Sequence, residues 1–186
     1  CLLHRRKYLY HVLKSRTIFP CLRNELFIAI VDNQFHAFES LRQLIFVFLA
    51  LALQILDLPK GSQVAINGFT CYAVYKAVAQ ANLIPICLDL DEKNSDLNFS
   101  AETLEKALRE NKNIKAIIIQ NTFGYPTDIE RIAQICKEKN IIFIEDLAHC
   151  IGAKYPDGKE AGTVGDFAAL SFSQDKVIDA VSGGAL

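Results

Sequence analysis

The chain contains no methionine and no tryptophan. A natural reading frame opens on methionine, so a chain beginning at Cys1 and stopping soon after Gly183-Gly184 is expected to be a piece of a longer product. Six cysteines are present, at positions 1, 21, 71, 87, 136 and 150, without a single Cys-x-x-Cys pair. That spacing argues against a structural zinc site and against a disulfide framework, and no metal is expected. Positive charge is not in excess: 20 Lys and Arg face 21 Asp and Glu, for a net charge of −1. A general nucleic-acid binder carries a basic surplus, so nucleic acid is not an expected partner. The longest unbroken apolar run, Leu44 to Leu53, falls well short of the roughly 20 residues that span a bilayer. A secretory signal is not evident either, because Leu2-Leu3 precede the basic His4-Arg5-Arg6-Lys7 instead of following it. Together with the cysteine usage, this gives a cytoplasmic location as the expectation.

Three further absences narrow the chemistry. No Gly-x-Gly-x-x-Gly follows a strand-like run, no Gly-x-x-x-x-Gly-Lys-Ser/Thr loop occurs, and no Gly-x-Ser-x-Gly elbow is found. A dinucleotide fingerprint, a P-loop and a hydrolase nucleophile are therefore unsupported.

What is present is an ordinary globular composition over 186 residues, 51% apolar and 22% charged. Such a chain buries a sizeable core without needing disulfides or metal. Residues 1–40, with basic side chains from Arg5 to Arg16 interleaved with Tyr8, Leu9, Tyr10 and Val12, read as an N-terminal arm: a solvated helix packing by its aromatic side, an amphipathic arm on a partner surface or a membrane-surface helix. From residue 41 the pattern is regular. Leu41 to Leu58 predicts a helix stopped by Pro59-Lys60-Gly61, and Thr70 is placed to cap a helix running to about Ala81. Ser100 predicts the cap of a helix from Ala101 to about Glu110, and Thr127 with Glu130 fits a capping box for a helix to Lys139. Between these lie short apolar strands at 64–66, 84–90, 114–120, 141–145 and 168–172. Cys87 and Cys136, in apolar surroundings, are expected in the core.

Wholly apolar strands alternating with amphipathic helices predict an α/β fold: a mainly parallel sheet with helices on both faces. Ligands in such sheets gather at the carboxyl ends of the strands. Those ends carry Asn67-Gly68-Phe69-Thr70, Asp89, Gln120-Asn121, Glu145-Asp146 and Ser171. Asp146 stands out among them, with Lys176 shortly past Ser171. A buried carboxylate and a lysine on neighbouring strand ends suit pyridoxal 5'-phosphate (PLP). The lysine joins the cofactor aldehyde, the carboxylate keeps the pyridine nitrogen protonated, and the Ser171 hydroxyl can bind phosphate.

The segment that carries these residues resembles the DegT family of PLP-dependent nucleotide-sugar aminotransferases, of aspartate-aminotransferase fold type. Glu145-Asp146-Leu147-Ala148-His149 is similar to that family's E-D-A-A-[HQ] strand end. Gly162-Thr163-Val164-Gly165-Asp166 matches its G-x-x-G-D, and Ser171 to Lys176 its S-F-x-x-x-K. Upstream, Gly61 to Thr70, Ile84 to Asp91 and Asn121 to Pro126 follow the family's remaining motifs in order. The resemblance covers roughly residues 41–186 and implies a PLP-binding large domain lacking its C-terminal small domain.

It also implies roles. Lys176 would be the cofactor-bonding lysine and proton shuttle, and Asp146 the partner of the pyridine nitrogen. His149 would lie near the cofactor ring or its phenolic oxygen, Ser171 at the phosphate, and Thr70 and Tyr72 would complete the cofactor-binding set. The family's ring-stacking aromatic falls on Cys71, beside Tyr72, and its phosphate-binding glycine turn falls near Leu41. Related dehydratases carry histidine in place of the lysine, so Lys176 speaks for amino transfer. The implied reaction moves an amino group from a donor such as glutamate to a keto-sugar nucleotide, in a homodimer. The alternative is a truncated remnant acting only as a binding or structural domain. The edge strand entered at Gly183-Gly184 is expected to be left open.

Overall fold

The computed structural model describes residues 28–29, 44–90, 97–173, 176–179 and 184–186. In chain order these form β1 (Ile28–Ala29), α1 (Leu44–Ile55), β2 (Gln63–Asn67), α2 (Tyr72–Gln80), β3 (Ile84–Leu88) and α3 (Ala101–Glu110). There follow β4 (Ile114–Ile119), a 3-10 turn (Thr122–Gly124), α4 (Ile129–Lys139), β5 (Ile142–Asp146), β6 (Phe167–Ser171) and β7 (Gly184–Ala185). The rest of the N-terminal arm, and Leu41 at the family's glycine turn, lie outside the described residues.

The seven strands form one sheet in the order β1-β7-β6-β5-β4-β2-β3. From β3 to β6 every pairing is parallel. β7 runs antiparallel to β6, and β1 antiparallel to β7. The mainly parallel sheet predicted from the apolar runs is thus observed. The edge expected to be open at Gly184 is instead paired with β1, through Ala29↔Gly184.

Helices cover both faces, and strand alternation decides which side chains reach which layer. On one face, Leu49 and Leu53 of α1 and Val74 and Val78 of α2 pack against Val64, Ile66, Ile118 and Ile144. On the other, Leu104 of α3 and Ile132 and Ile135 of α4 pack against Ala65, Ile117, Ile119 and Phe143. The three consecutive isoleucines of β4 therefore serve two cores at once, and a strand buried on both sides has no polar face to show. Each such side chain contributes about 1.5–3 kcal/mol of burial.

Local chemistry sets the ends of the elements. The Ser100 hydroxyl accepts from the Thr103 N–H at 3.2 Å, capping α3 as predicted. Two predicted caps are corrected. Helix α2 begins after Cys71, with no side-chain cap, because the Thr70 hydroxyl is turned toward Gln120 instead. Helix α4 is capped by Asp128, which accepts from the Arg131 N–H, while the Thr127 hydroxyl donates to the Phe99 carbonyl at 3.2 Å. Cys87 is also corrected: it is exposed, because β3 sits at the sheet edge and only Leu88 in it is buried. Cys136 is buried as expected. No helix among the described residues is long and apolar enough to cross a membrane.

Past β2 the chain turns at Gly68, whose N–H donates to the Leu88 carbonyl at 2.7 Å. A Cβ at this position would lie 2.8 Å from that same carbonyl oxygen. Gly68→Ala is therefore expected to push β2 and β3 apart at their carboxyl ends and to destabilise the chain by about 1–3 kcal/mol. Thermal unfolding followed by circular dichroism checks this.

Candidate active site

Side chains alternate along β5, so Glu145 and Asp146 point to opposite sides of the sheet. The two carboxylates consequently do different work. Glu145 is fully buried and accepts four hydrogen bonds: from Tyr155 Oη at 2.6 Å and from the backbone N–H groups of Gly162 (2.8 Å), Val164 (2.8 Å) and Gly165 (2.6 Å). It organises the segment between β5 and β6. Gly162 sits at φ +95°, and a Cβ there would fall 2.6 Å from Leu147 Cδ1. Asp166 closes the segment by accepting from the Phe143 N–H at 2.8 Å. The Gly-x-x-Gly-Asp motif is thus a backbone cradle for one buried carboxylate. Burial and the Glu145 bond push the Tyr155 hydroxyl pKa up, so it stays a donor.

Asp146 is 1% exposed, and its Oδ1 accepts from the Ala148 N–H at 3.0 Å. Burial raises its pKa from 3.8 to about 6; the Ala148 N–H and the positive charge of Lys176 pull the other way. A desolvated carboxylate of this kind gains from any cationic partner brought beside it. Lys176 follows β6 on a turn closed by its own N–H to the Ser173 carbonyl at 2.9 Å. Its charge acts on Asp146, so the two residues predicted to work together share one end of the sheet.

His149 lies just beyond Asp146. Its Nδ1 is 3.2 Å from Gln120 Nε2 and 3.5 Å from the Phe123 backbone N–H. The Phe123 ring stacks on the imidazole, with centroids 5.5 Å apart and 13° between planes, and Phe69 leans on Phe123 at 6.3 Å. Thr70 joins this cluster by donating its hydroxyl proton to Gln120 Oε1. The ends of β2, β4 and β5 are thereby tied by one polar chain. Ser171 is buried at the end of β6, its Oγ 3.0 Å from Ser173 Oγ. Tyr72 stands apart: it is 69% exposed and stacks on Tyr75, one turn along α2, at 6.0 Å.

Several structural contributors were not singled out by the sequence reading. Asn98, fully buried, accepts from Asn67 Nδ2 (2.8 Å), the Thr122 N–H (3.1 Å) and the Thr122 hydroxyl (3.2 Å), and donates to the Tyr125 carbonyl (3.1 Å). It pins the turn that presents Phe123. That turn needs positive φ at Asn121 (45°) and Phe123 (54°). Asparagine tolerates such geometry and gives a hint in the sequence; phenylalanine gives none. The two buried thiols, Cys136 and Cys150, are pushed up to about 12 by burial, so neither is a nucleophile at neutral pH. Among the described residues no group of three or more His, Cys, Asp or Glu side chains could hold a metal.

A carboxylate, a lysine, a buried hydroxyl and an imidazole stacked on an aromatic ring therefore lie at or just past the carboxyl ends of a parallel sheet. The profile of the DegT/DnrJ/EryC1/StrS aminotransferase family matches residues 47–186. The chain belongs to this aminotransferase family. It is 36% identical over 138 residues to GDP-perosamine synthase of Escherichia coli O157:H7, covering 74% of this chain and 36% of that protein. It is 32% identical over 136 residues to dTDP-4-dehydro-2,3,6-trideoxy-D-glucose 4-aminotransferase of Saccharopolyspora spinosa, covering 73% and 34%. The solved aminotransferase of Psychrobacter cryohalolentis superposes with a TM-score of 0.69 at 30% identity, over 76% of this chain and 34% of that one. The chain thus spans about a third of the length of these relatives.

The residues present fit the family's cofactor, PLP. Asp146 offers a buried anion that gains from a protonated ring nitrogen, Lys176 offers the amine, and the Ser171 hydroxyl can take a phosphate oxygen. The aromatic and imidazole rings provide a flat, partly exposed wall beside them.

Proposed function

We propose that residues 41–186 form the cofactor-binding large domain of an enzyme that transfers an amino group from a donor such as glutamate to a keto-sugar nucleotide. The observation that carries this reading is the fully buried Asp146 carboxylate at the end of β5, under the charge of Lys176. The sugar-nucleotide substrates named for the relatives support the acceptor class. Bound PLP supplies an electron sink for the carbanion formed on the amino donor.

The chain's own residues do the rest. Asp146 would hold a proton on the ring nitrogen, because a buried anion is neutralised by a cation more favourably than by water it cannot reach. Lys176 would anchor the cofactor through its Nζ, and its freed amine would take up the proton that leaves the donor carbon. Ser171 would take a phosphate oxygen and His149 would lie beside the ring, with Thr70 acting on it through Gln120. A homodimer in the cytoplasm completes the reading, the second subunit closing the exposed aromatic side of the site. The 186 residues, about a third of the length of the relatives they match, are expected to bind PLP weakly without multiple turnovers.

The test is a PLP titration of the chain, followed by visible absorbance and borohydride trapping with peptide mapping. In parallel, the full polypeptide its gene encodes is assayed for amino transfer from glutamate to keto-sugar nucleotides. Trapping at Lys176 with turnover by the full polypeptide is the expected result. PLP trapped at another lysine overturns the site assignment. Binding without turnover, under any donor and acceptor tried, favours the alternative of a remnant that only binds.

A further inference from the structure

We propose that Gln120, itself held by Thr70, is a positioning residue that fixes His149 as the neutral imidazole with its proton on Nε2. The argument begins at Nδ1, which two groups address: Gln120 Nε2 at 3.2 Å and the Phe123 backbone N–H at 3.5 Å. A backbone N–H can only donate, so Nδ1 must accept. The orientation of the Gln120 amide is consistent with this. Its oxygen is taken by the Thr70 hydroxyl, which leaves the NH2 end facing the imidazole. An imidazole that accepts at Nδ1 while neutral carries its hydrogen on Nε2.

The surroundings make this a fixed state. Gln120 is buried just past the end of β4, an interior strand of the sheet, with its amide held between Thr70 and His149. The stacked Phe123 ring holds the imidazole plane. His149 therefore offers a hydrogen-bond donor at Nε2. Resting on the PLP reading, that donor suits an anionic oxygen of the cofactor, and an imidazole with the opposite tautomer would meet that oxygen with a lone pair.

The experiment reads the imidazole nitrogens directly. Nitrogen-15 NMR of the cofactor-free chain at neutral pH is expected to show His149 with Nδ1 unprotonated and Nε2 protonated. In Gln120→Glu the new carboxylate accepts instead of donating, and a proton is expected to appear on Nδ1. Thr70→Val frees the Gln120 amide to turn, and a second population with protonated Nδ1 is expected; this variant decides the matter should Gln120→Glu not fold. Wild-type chain with Nδ1 protonated, or a folded Gln120→Glu variant without a proton there, overturns the proposal. PLP titration of the same samples separates the two readings. Failure of every sample to bind PLP would sink the cofactor reading and leave the tautomer result standing.

Discussion

Lys176→Ala is expected to abolish amino transfer by the full polypeptide and to remove the visible absorbance band of bound PLP. Two losses coincide in this variant. The amine that anchors the cofactor is gone, and so is the group that moves the proton between the two carbons. A positioned acid–base group alone contributes roughly 10²–10⁴-fold to a proton transfer. Lys176→Arg separates covalent from electrostatic roles. Arginine keeps a positive charge beside Asp146 but remains protonated and offers no nucleophilic amine. The arginine variant is therefore expected to be as inactive as the alanine variant, while retaining more PLP by non-covalent binding. Stopped-flow mixing with PLP and a single-turnover assay with glutamate provide the readouts. Comparable activity in Lys176→Arg and wild type would remove Lys176 from the chemistry and leave it a surface counter-charge.

Much of the scaffold was legible because the two cores impose themselves on the sequence. A strand buried on both faces is apolar along most of its length, and β4 and β5 show this as runs of isoleucine and phenylalanine. The helices α3 and α4 were equally plain, since each has one buried stripe. The caps were less legible. Thr70 and Thr127 both have the right residue type one place too early, and each hydroxyl is claimed by a partner distant in sequence, Gln120 and Phe99. A local rule cannot foresee a competing long-range acceptor. Cys87 was misread for a different reason: apolar residues are tolerated on an edge strand, and periodicity does not say which strand lies at the edge. Of the site, Asp146, His149, Ser171 and Lys176 were visible as members of ordered motifs. Glu145 stood in the same motif without a role, because the three backbone N–H groups it accepts from leave no trace in residue identity beyond two glycines. Gln120 and Asn98 act through side chains that meet only after the strands are assembled.

Asp146→Asn is expected to stabilise the cofactor-free chain at neutral pH while destroying its use of PLP. The carboxyl pKa is raised from 3.8 to about 6 in the folded chain, so folding favours the protonated form. The sign follows directly. Below pH 3.8 the group is protonated in both states, and its contribution is fully present; as pH rises through about 6 that contribution is lost. A shift of this size corresponds to roughly 3 kcal/mol at pH 7, since each pKa unit is about 1.4 kcal/mol. Asparagine keeps the shape and the acceptor for the Ala148 N–H but has no charge to desolvate. The variant should therefore be more stable than wild type at pH 7 by a few kcal/mol, and the gap should close as pH falls from about 6 toward 4. Urea unfolding of both chains across this range gives the measurement. PLP should stabilise the wild type against urea and the variant much less, because a neutral amide cannot hold a proton on the ring nitrogen. Equal stability of the two cofactor-free chains at pH 7 would mean that Asp146 is not desolvated enough to require a cationic partner. In that case the carboxylate would have no preference for a protonated ring over solvent. A stability gain confined to high pH and coupled to lost cofactor binding would instead mark Asp146 as a residue kept for chemistry at a cost to the fold.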